Sequence, residues 1–334
     1  MSRRQVPWLV AGAAIAIAIA APVMIPSSYV LHLLVMSCIW AILGVSMNLM
    51  LGVTGLLSLA HGALFGIGGY ACALLVVRLG MNFWPALVVA AFAGGLAGLV
   101  IGLPTLRGRG PYFVISSLCF GLVVQIVIDK WETLTYGSLG ITSIPTASPI
   151  PVPGLGRIAF ETLPMQYYLV LAVLVLVIVA FRRVVDSRVG RAFHAIRTNQ
   201  DLAEALGVPT MRLSLLAFVL SGMIAGIAGA LYAMYITYLN PADAGFAVAL
   251  NGILYVVIGG TGTLVGPVVG ALVMTIMPEL FRLFGEARLL FFGLLLILVT
   301  IYFPRGIVGG VRRLWQLATK SSGEDGAKKA PKHA

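Results

Sequence analysis

Charged residues are scarce in this sequence, and their scarcity decides the class of protein. Only 10% of the residues are Asp, Glu, Lys or Arg, whereas 60% are hydrophobic, and the mean hydropathy is +1.03. Soluble domains carry about 25% charged and about 45–50% apolar residues, so the composition indicates an integral membrane protein in a lipid bilayer. The net charge of +11 does not indicate nucleic-acid binding, because the basic residues stand between apolar runs and form no patch.

Groups that carry out chemistry are also few. The three cysteines lie inside apolar runs without a nearby histidine or acidic residue, so no metal site and no disulfide framework is predicted. The sequence has no GxxxxGK[ST] phosphate loop and no pairing of nucleophile, base and acid. The candidate ionisable residues of the apolar runs are few, His32, His61, Asp243 and Glu279, and all but His61 lie near predicted ends. An ion-coupled carrier is expected to bury carboxylates, so we expect neither such a carrier nor an enzyme.

The apolar runs predict an all-α membrane protein with about ten transmembrane helices, since one span needs about 20 apolar residues. The predicted spans are 9–25, 28–51, 55–77, 83–103, 111–129, 165–181, 213–239, 246–260, 268–284 and 289–303. The first run also fits a cleaved signal peptide, but further spans follow at once, so we expect it to be retained. The run at 246–260 is short for a span, and some helices are expected to be short or broken.

The basic residues predict the orientation in the membrane. With ten spans, both termini fall on one side, together with Arg107, Arg109 and the loop 182–212. The basic residues of the other side are Arg78, Lys130, Arg157, Arg282 and Arg288. Cytoplasmic loops carry the excess of Lys and Arg, so the termini and the 182–212 loop are expected in the cytoplasm.

Proline excludes a continuous helix between the fifth and sixth spans. The prolines of the 132–164 segment are Pro145, Pro149, Pro151, Pro153 and Pro164. With Gly and Ser between them, they predict an extended surface loop on the periplasmic side. Residues 1–313 would then form one transmembrane domain, and 314–334 is a polar tail that we expect to be disordered.

Two glycine-rich stretches predict helix breaks, LGVTGLLSLAHGA at 51–63 and IGGTGTLVGPVVGA at 258–271. Both have the pattern apolar-Gly-x-Thr-Gly-x-Leu and end in Gly-Ala, which weakly suggests an internal repeat. Other glycines with GxxxG-like spacing favour close helix packing. Unwound backbone must line a cavity or be covered by protein. Candidate contacts of a translocation pathway, each with the alternative of an ordinary interhelical hydrogen bond, are Ser58, His61, Gln125, Asn251 and Tyr255.

The longest polar interval of the central chain is 187–213. Its apolar residues recur near helical spacing, with Arg191 and Arg197 on a second face. Asn199 is placed to begin a second short helix, and Gly207 to end it. Two short helices joined by a polar turn would make a rigid docking block, and the alternative is an ordinary basic loop.

The interval then resembles a known motif. SRVGRAFHAIRTNQDLAEALGV (187–208) looks like the coupling loop of ABC importer permeases, whose core is Glu-Ala-Ala followed by glycine. The core here is Glu204-Ala205-Leu206-Gly207, so its third position departs from that pattern. Further segments resemble the branched-chain amino acid importer permeases, in particular their M-like subunit: 55–75, 106–127, 215–233, 256–271 and 302–310.

The resemblance implies a permease subunit of an ATP-driven importer in the bacterial inner membrane. It implies four partners: a homologous second permease, two cytoplasmic ATPase subunits that bind ATP and Mg²⁺, and a periplasmic solute-binding protein. This chain would hold no cofactor and no metal. The residues to which the resemblance assigns ATPase coupling are Arg191, Arg197, Glu204, Ala205 and Gly207.

The sequence of the outer loop does not identify the substrate. The stretch TYGSLGI (135–141) has Leu139 where the family commonly has Asn. Family members carry branched-chain amino acids, urea, amides or aromatic acids, and the sequence does not choose among them. The alternative functions are a stand-alone secondary carrier or facilitator, which would work without nucleotide, and a membrane enzyme or scaffold.

Overall fold

The computed structural model describes residues 27–152, 156–281 and 306–310, with 18–22 and the single residues 16, 24, 293, 297 and 301. This part of the chain is mostly helical. Its α-helices are α1 Ser28–Met47, α2 His61–Leu79, α3 Phe83–Thr105, α4 Pro111–Lys130, α5 Glu132–Thr135, α6 Leu163–Asp186, α7 Arg188–Thr198, α8 Gln200–Ala205, α9 Thr210–Ile236, α10 Phe246–Gly259 and α11 Gly266–Leu280. The short strands are β1 Ile141–Thr142, β2 Ile150–Val152, β3 Gly156–Ile158 and β4 Tyr238–Leu239.

Among the described residues, 6 helices are long and apolar enough to cross a membrane: Ser28–Thr54, α2, α3, α4, α6 and α9. The chain is therefore a multi-pass membrane protein. The helices α10 and α11 are apolar but shorter. The first and last of the predicted spans fall largely outside the described residues, as does the 314–334 tail. The count of ten spans and the side of the termini thus stay predictions.

Both predicted helix breaks are present. The span Ser28–Thr54 continues beyond α1 as a π-helix, Asn48–Thr54, and stops at Gly55. The φ of Gly55 is +77°, in the left-handed region that glycine adopts without steric cost. We call the π-helix together with residues 55–60 the first break. Residues 55–60 are not helical, so α2 begins at His61 and not at Gly55 as the apolar run suggested. The second break, 260–265, separates α10 from α11.

Glycine pairs let α3 and α9 cross with their backbones in contact. A Cβ atom on Gly94 would collide with the carbonyl oxygen of Gly222, and one on Gly222 would collide with the carbonyl oxygen of Gly94. Helices approach this closely only where both lack side chains. The GxxxG-like spacing at these two positions therefore serves packing, as predicted.

The short helix α10 follows a segment that runs along α2 and contains β4 and a 3₁₀ turn, Pro241–Ala244. Leu239 lies beside Gly69, Ala244 beside Gly66 and Gly245 beside Gly62. These three glycines cover about two turns of α2, so the chain advances by about 10 Å along that helix before α10 begins. The chain therefore runs alongside α2 before the short helix α10 begins.

The proline-rich loop has more structure than the sequence predicts. It contains α5, a 3₁₀ turn and an antiparallel β2–β3 hairpin, and β1 pairs antiparallel with β4. Ser148 fixes the loop to the start of α3, because its hydroxyl accepts from the Phe83 N–H at 3.3 Å and its carbonyl accepts from Trp84 Nε1 at 3.0 Å. The prediction that no helix is continuous through 132–164 is confirmed, and these pairings give the loop local structure that the sequence does not predict.

Candidate coupling site and translocation path

Residues 187–209 form a two-helix block between α6 and α9. Ser187 caps α7 by accepting from the Gly190 N–H at 3.3 Å, and Asn199 caps α8 by accepting from the Leu202 N–H at 3.0 Å. Both are side-chain types favoured at helix N-caps. The second helix thus begins where the sequence predicts, after Asn199. The block is narrower than the predicted 182–212 loop, because α6 continues to Asp186 and α9 begins at Thr210.

Gly207 ends α8 in a Schellman motif. The Gly207 N–H donates to the Glu204 carbonyl at 2.9 Å, and the Val208 N–H donates to the Ala203 carbonyl at 3.0 Å. The φ of Gly207 is +83°, and a Cβ atom built there would meet nothing within 4 Å. The position therefore requires glycine for its backbone conformation and not for space.

The block has a buried face and an exposed one. Phe193 and Ile196 of α7 are buried against the membrane helices and the π-helix. On the outer side, Leu202 is 58% exposed and Leu206 is 76% exposed. The predicted coupling residues Arg191, Glu204, Ala205 and Gly207 are exposed with them. A polar loop that leaves two leucines uncovered has a surface suited to a protein partner.

Arg109 joins the block to the α3–α4 loop. Its Nη1 lies 2.6 Å from Asp201 Oδ1, and its Nη2 lies 3.1 Å from Glu204 Oε2. The sequence reasoning did not assign this residue to the site. The signal available was charge complementarity, since a basic loop and an acidic helix start were predicted on the same side of the membrane.

Arg197 is exposed as well, but the tip of its side chain reaches the membrane helices. Its Nη1 donates to the Gly52 carbonyl in the π-helix, and its stem packs on Gly55. A Cβ atom on Gly262 would lie 2.6 Å from the same Nη1. Arg197 therefore touches both helix breaks.

Asn48 connects the two breaks directly. Its side chain is fully buried, its Nδ2 donates to the Thr263 carbonyl at 2.9 Å, and its Oδ1 accepts from the Gly262 N–H at 2.9 Å. The sequence reasoning missed Asn48. A polar side chain in an apolar run, directly before a glycine break, was the signal.

Two of the predicted pathway residues are fully buried: Ser58 lies in the first break, and His61 directly follows it as the first residue of α2. The Ser58 hydroxyl accepts from the Ala60 N–H at 3.3 Å. The two ring nitrogens of His61 make no hydrogen bond of good geometry among the described residues, although the backbone of Ser58 and Ser46 lies close to the ring. The imidazole lies 6.2 Å from the ring of Phe218, measured between centroids.

Gln125 lines an open cavity of about 520 Å³. The other lining residues are Ile126, Asp129, Ser138, Tyr238, Asn240, Pro241 and Ala242. The Gln125 side chain reaches Gly245, and one turn before it Gly121 faces the backbone of Leu59 and Ala60. The cavity thus adjoins the segment that leads along α2 towards His61.

The remaining two candidates lie on α10. Asn251 is half-buried, and Tyr255 is buried with its ring 6.2 Å from that of Trp40. Trp40 also stacks on Phe65 at 5.6 Å, so Tyr255 belongs to an aromatic cluster of the core. For Tyr255 the packing alternative is the simpler one.

Eight of the ten predicted site residues therefore form two groups in space, and the other two lie elsewhere. The five coupling residues share the two-helix block, and Ser58, His61 and Gln125 gather around the start of α2. Asn251 and Tyr255 stand apart on α10. No group of three or more His, Cys, Asp or Glu side chains that could hold a metal ion occurs in the part of the chain that is described.

Comparison with known proteins identifies the family of the chain. The family model of the branched-chain amino acid transport system permease component matches residues 29–300. The chain belongs to this permease family. The match covers both helix breaks, the two-helix block and the cavity, so the candidate site lies wholly within the part of the chain that the family shares.

Curated permeases are similar over most of the chain. The high-affinity branched-chain amino acid transport system permease protein LivM of Salmonella typhimurium is 31% identical over 92% of this chain and 76% of its own length. LivM of Escherichia coli is 30% identical over 89% and 73%, respectively. The permease protein LivH of Escherichia coli is 26% identical over 81% of this chain and 91% of its own length. No solved structure matches the chain at a significant level.

Proposed function

We propose that this chain is the transmembrane subunit of an ATP-driven importer for branched-chain amino acids or a related small polar solute such as urea, an amide or an aromatic acid. Family membership supports a transport role. The proposal that transport is driven by ATP rests on the two-helix block. One face of the block is buried against the membrane domain, and the other leaves Leu202 and Leu206 exposed. We propose that an ATPase subunit binds this exposed surface.

In the proposed mechanism this chain changes shape and a partner hydrolyses ATP. Closure of the ATPase dimer moves the two-helix block as a rigid unit, because the caps at Ser187 and Asn199 and the Schellman motif at Gly207 fix its geometry. The movement shifts the ends of α6 and α9 and the adjoining π-helix. Outward and inward access then alternate as two packing arrangements of the same helices.

The solute would pass from the cavity beside Gln125 towards Ser58 and His61. These side chains offer amide, hydroxyl and imidazole groups, which bind a small polar solute weakly and release it again. The β1–β4 pairing and the hairpin of the 132–164 loop would contribute to the surface that receives a periplasmic binding protein. A homologous second permease would complete the membrane part, and the assembly would lie in the bacterial inner membrane.

A stand-alone carrier or facilitator is the second candidate. It would need no surface for an ATPase, so the exposed leucines of the two-helix block count against it. No Asp or Glu is among the buried residues of the described spans, whereas ion coupling is expected to use buried carboxylates.

Purification through an affinity tag tests the proposal. The tagged chain is solubilised in detergent from native membranes, and the co-purifying proteins are identified by mass. The expected result is a second multispan protein together with one or two soluble ATPases. Recovery of the tagged chain alone, still able to move solute in ATP-free liposomes, would contradict the proposal.

A further inference from the structure

We propose that Arg197 is a positioning residue that links the two-helix block to both helix breaks at once, so that a displacement of the block moves the two breaks together. The inference rests on the proposed function, and it divides the coupling residues into two classes. Glu204, Ala205 and Gly207 form the surface that a partner touches, whereas Arg197 passes the movement inward.

The first observation is the position of the Arg197 side chain. Arg197 lies in the last turn of α7, and Ile196 beside it is buried in the membrane domain. From there the guanidinium donates to the Gly52 carbonyl. A π-helix leaves its hydrogen-bond pattern irregular, and such turns are frequent at functional sites. The arginine thus holds a backbone group of a segment that can rearrange.

The second observation is that the two breaks are alike where they meet Arg197. In the paired patterns LGVTG (51–55) and IGGTG (258–262), the last residue is Gly55 in one and Gly262 in the other. Their φ angles are +77° and +73°. A Cβ atom on Gly55 would lie 3.0 Å from Arg197 Cγ, and one on Gly262 would lie 2.6 Å from Nη1. Equivalent glycines of the two motifs therefore pack on one side chain.

The third observation is that the breaks are also tied to each other. Asn48 bonds the amide of Gly262 and the carbonyl of Thr263, and a Cβ atom on Gly262 would lie 2.8 Å from the Gly52 carbonyl oxygen. The same carbonyl receives the Arg197 hydrogen bond. A shift of Arg197 relative to one break therefore disturbs the other. We infer that the two breaks form one element that moves with the two-helix block.

The experiment uses the assembled transporter, purified through the tagged chain and reconstituted in vesicles. ATP hydrolysis and solute uptake are measured on the same preparation for the wild type and Arg197→Ala. The expected result is continued hydrolysis with a fall of roughly tenfold in solute moved per ATP, within the range of measured couplings between sites. Arg197→Lys, which retains one donor for Gly52 but lacks the planar guanidinium that packs against Gly262, should restore the ratio in part.

A matched control and a second readout separate positioning from simple loss of folding. Arg183→Ala removes an exposed arginine at the end of α6, outside the block, and should keep the wild-type ratio. Hydrogen exchange of residues 48–56 and 258–265 should change together on nucleotide binding in the wild type. In Arg197→Ala the two segments should no longer change together.

The possible results separate this inference from the proposed function. A wild-type ratio of transport to hydrolysis in Arg197→Ala would overturn the inference while leaving the proposed function intact. Nucleotide-independent uptake by the wild-type complex would overturn both. If Arg197→Ala does not assemble, Gly262→Ala is measured in its place, because its new Cβ atom would displace the guanidinium from the opposite side. A wild-type ratio in that variant would also overturn the inference.

Discussion

The carboxamide of Asn48 accepts a hydrogen bond from the amide of Gly262 at 2.9 Å across 214 positions of sequence. The same side chain donates to the Thr263 carbonyl at 2.9 Å and is fully buried. Backbone groups left free by a helix break need partners when they are buried. Here one break supplies the side chain that satisfies the other, so the two breaks form one structural unit.

Replacing Asn48 should therefore destabilise the whole unit. In Asn48→Leu the branching and the number of side-chain heavy atoms are kept, but the Gly262 amide and the Thr263 carbonyl lose their partner. Both groups are half-buried, so each lost hydrogen bond should cost about 0.5–1.5 kcal/mol, and the midpoint of thermal unfolding in detergent should fall.

The control is Ser37→Ala, at a buried serine whose hydroxyl bonds only the Leu33 carbonyl of its own helix at 2.7 Å. That carbonyl keeps its helical hydrogen bond when the hydroxyl is removed, so little stability should be lost. Equal unfolding midpoints for Asn48→Leu and wild type would show that the connection between the breaks does not stabilise the fold.

Gly207→Val should abolish ATP-driven uptake while the complex still assembles. A β-branched residue strongly disfavours the left-handed conformation, at a cost of roughly 1–2 kcal/mol or more, so α8 would end differently and reorient the surface around Glu204. The measurement is uptake by reconstituted complexes together with their subunit composition.

The matched control is Gly80→Val. Gly80 ends α2 with φ +60°, and a Cβ atom there would also meet nothing within 4 Å. The strain is similar, but the position is far from the two-helix block. Loss of uptake in both variants would mean that general instability explains the Gly207 effect, and uptake at the wild-type rate in Gly207→Val would remove Gly207 from the coupling site.

The ion pairs of Arg109 should contribute little to stability and depend on salt. The side chains are 62%, 80% and 53% exposed for Arg109, Asp201 and Glu204. Exposed pairs are worth about 0–1 kcal/mol and are screened by salt. We expect Arg109→Ala to lower the unfolding midpoint slightly at low ionic strength and not at high ionic strength.

Arg107→Ala is the control for that prediction, because Arg107 is an exposed arginine of the same loop. Its removal should change the midpoint equally at both salt concentrations. In a background with Asp201→Asn and Glu204→Gln, Arg109→Ala should have no further effect, since its partners are already neutral. An undiminished effect there would mean that Arg109 acts through other contacts.

Gly94→Ala should disrupt the crossing of α3 and α9, because its methyl group would collide with the Gly222 carbonyl. Overpacking of this kind costs about 1–3 kcal/mol. Gly252→Ala is the control: a Cβ atom there meets its nearest neighbour, Met47, at 3.6 Å, an ordinary contact. Since alanine is favoured over glycine in helices by about 1 kcal/mol, Gly252→Ala should be neutral or stabilising. The yield of monodisperse protein and the unfolding midpoint check both, and equal losses would refute the distinction.

The sequence predicts the elements that depend on local composition and periodicity. The apolar runs locate the long described spans to within a few residues, except that α2 starts at His61. Asn199 and Gly207 mark the ends of α8 correctly, because caps follow from the residue types at those positions. The two breaks were found because glycine, threonine and the absence of charge stand together at both.

The remaining features depend on contacts between distant segments. The Asn48–Gly262 bond and the Arg109–Asp201 ion pair join segments separated by many helices, and no local pattern reports such distances. The same holds for the β1–β4 pairing, which folds the proline-rich loop back on the helix ends. Which polar residues meet a solute stays a prediction, since a side chain such as His61 is described by its packing and not by a bound ligand.

The central claim is that this chain transports a solute by coupling to a partner ATPase. The most direct measurement is uptake of a labelled branched-chain amino acid into vesicles that contain the complex purified through the tagged chain, with the ATPase side supplied with ATP, with a non-hydrolysable analogue or with neither. The account predicts that the amino acid accumulates in the vesicles only in the condition with ATP. It also predicts that this accumulation is lost in Gly207→Val complexes of unchanged subunit composition. Equal uptake in all three conditions would contradict it and would favour a facilitator.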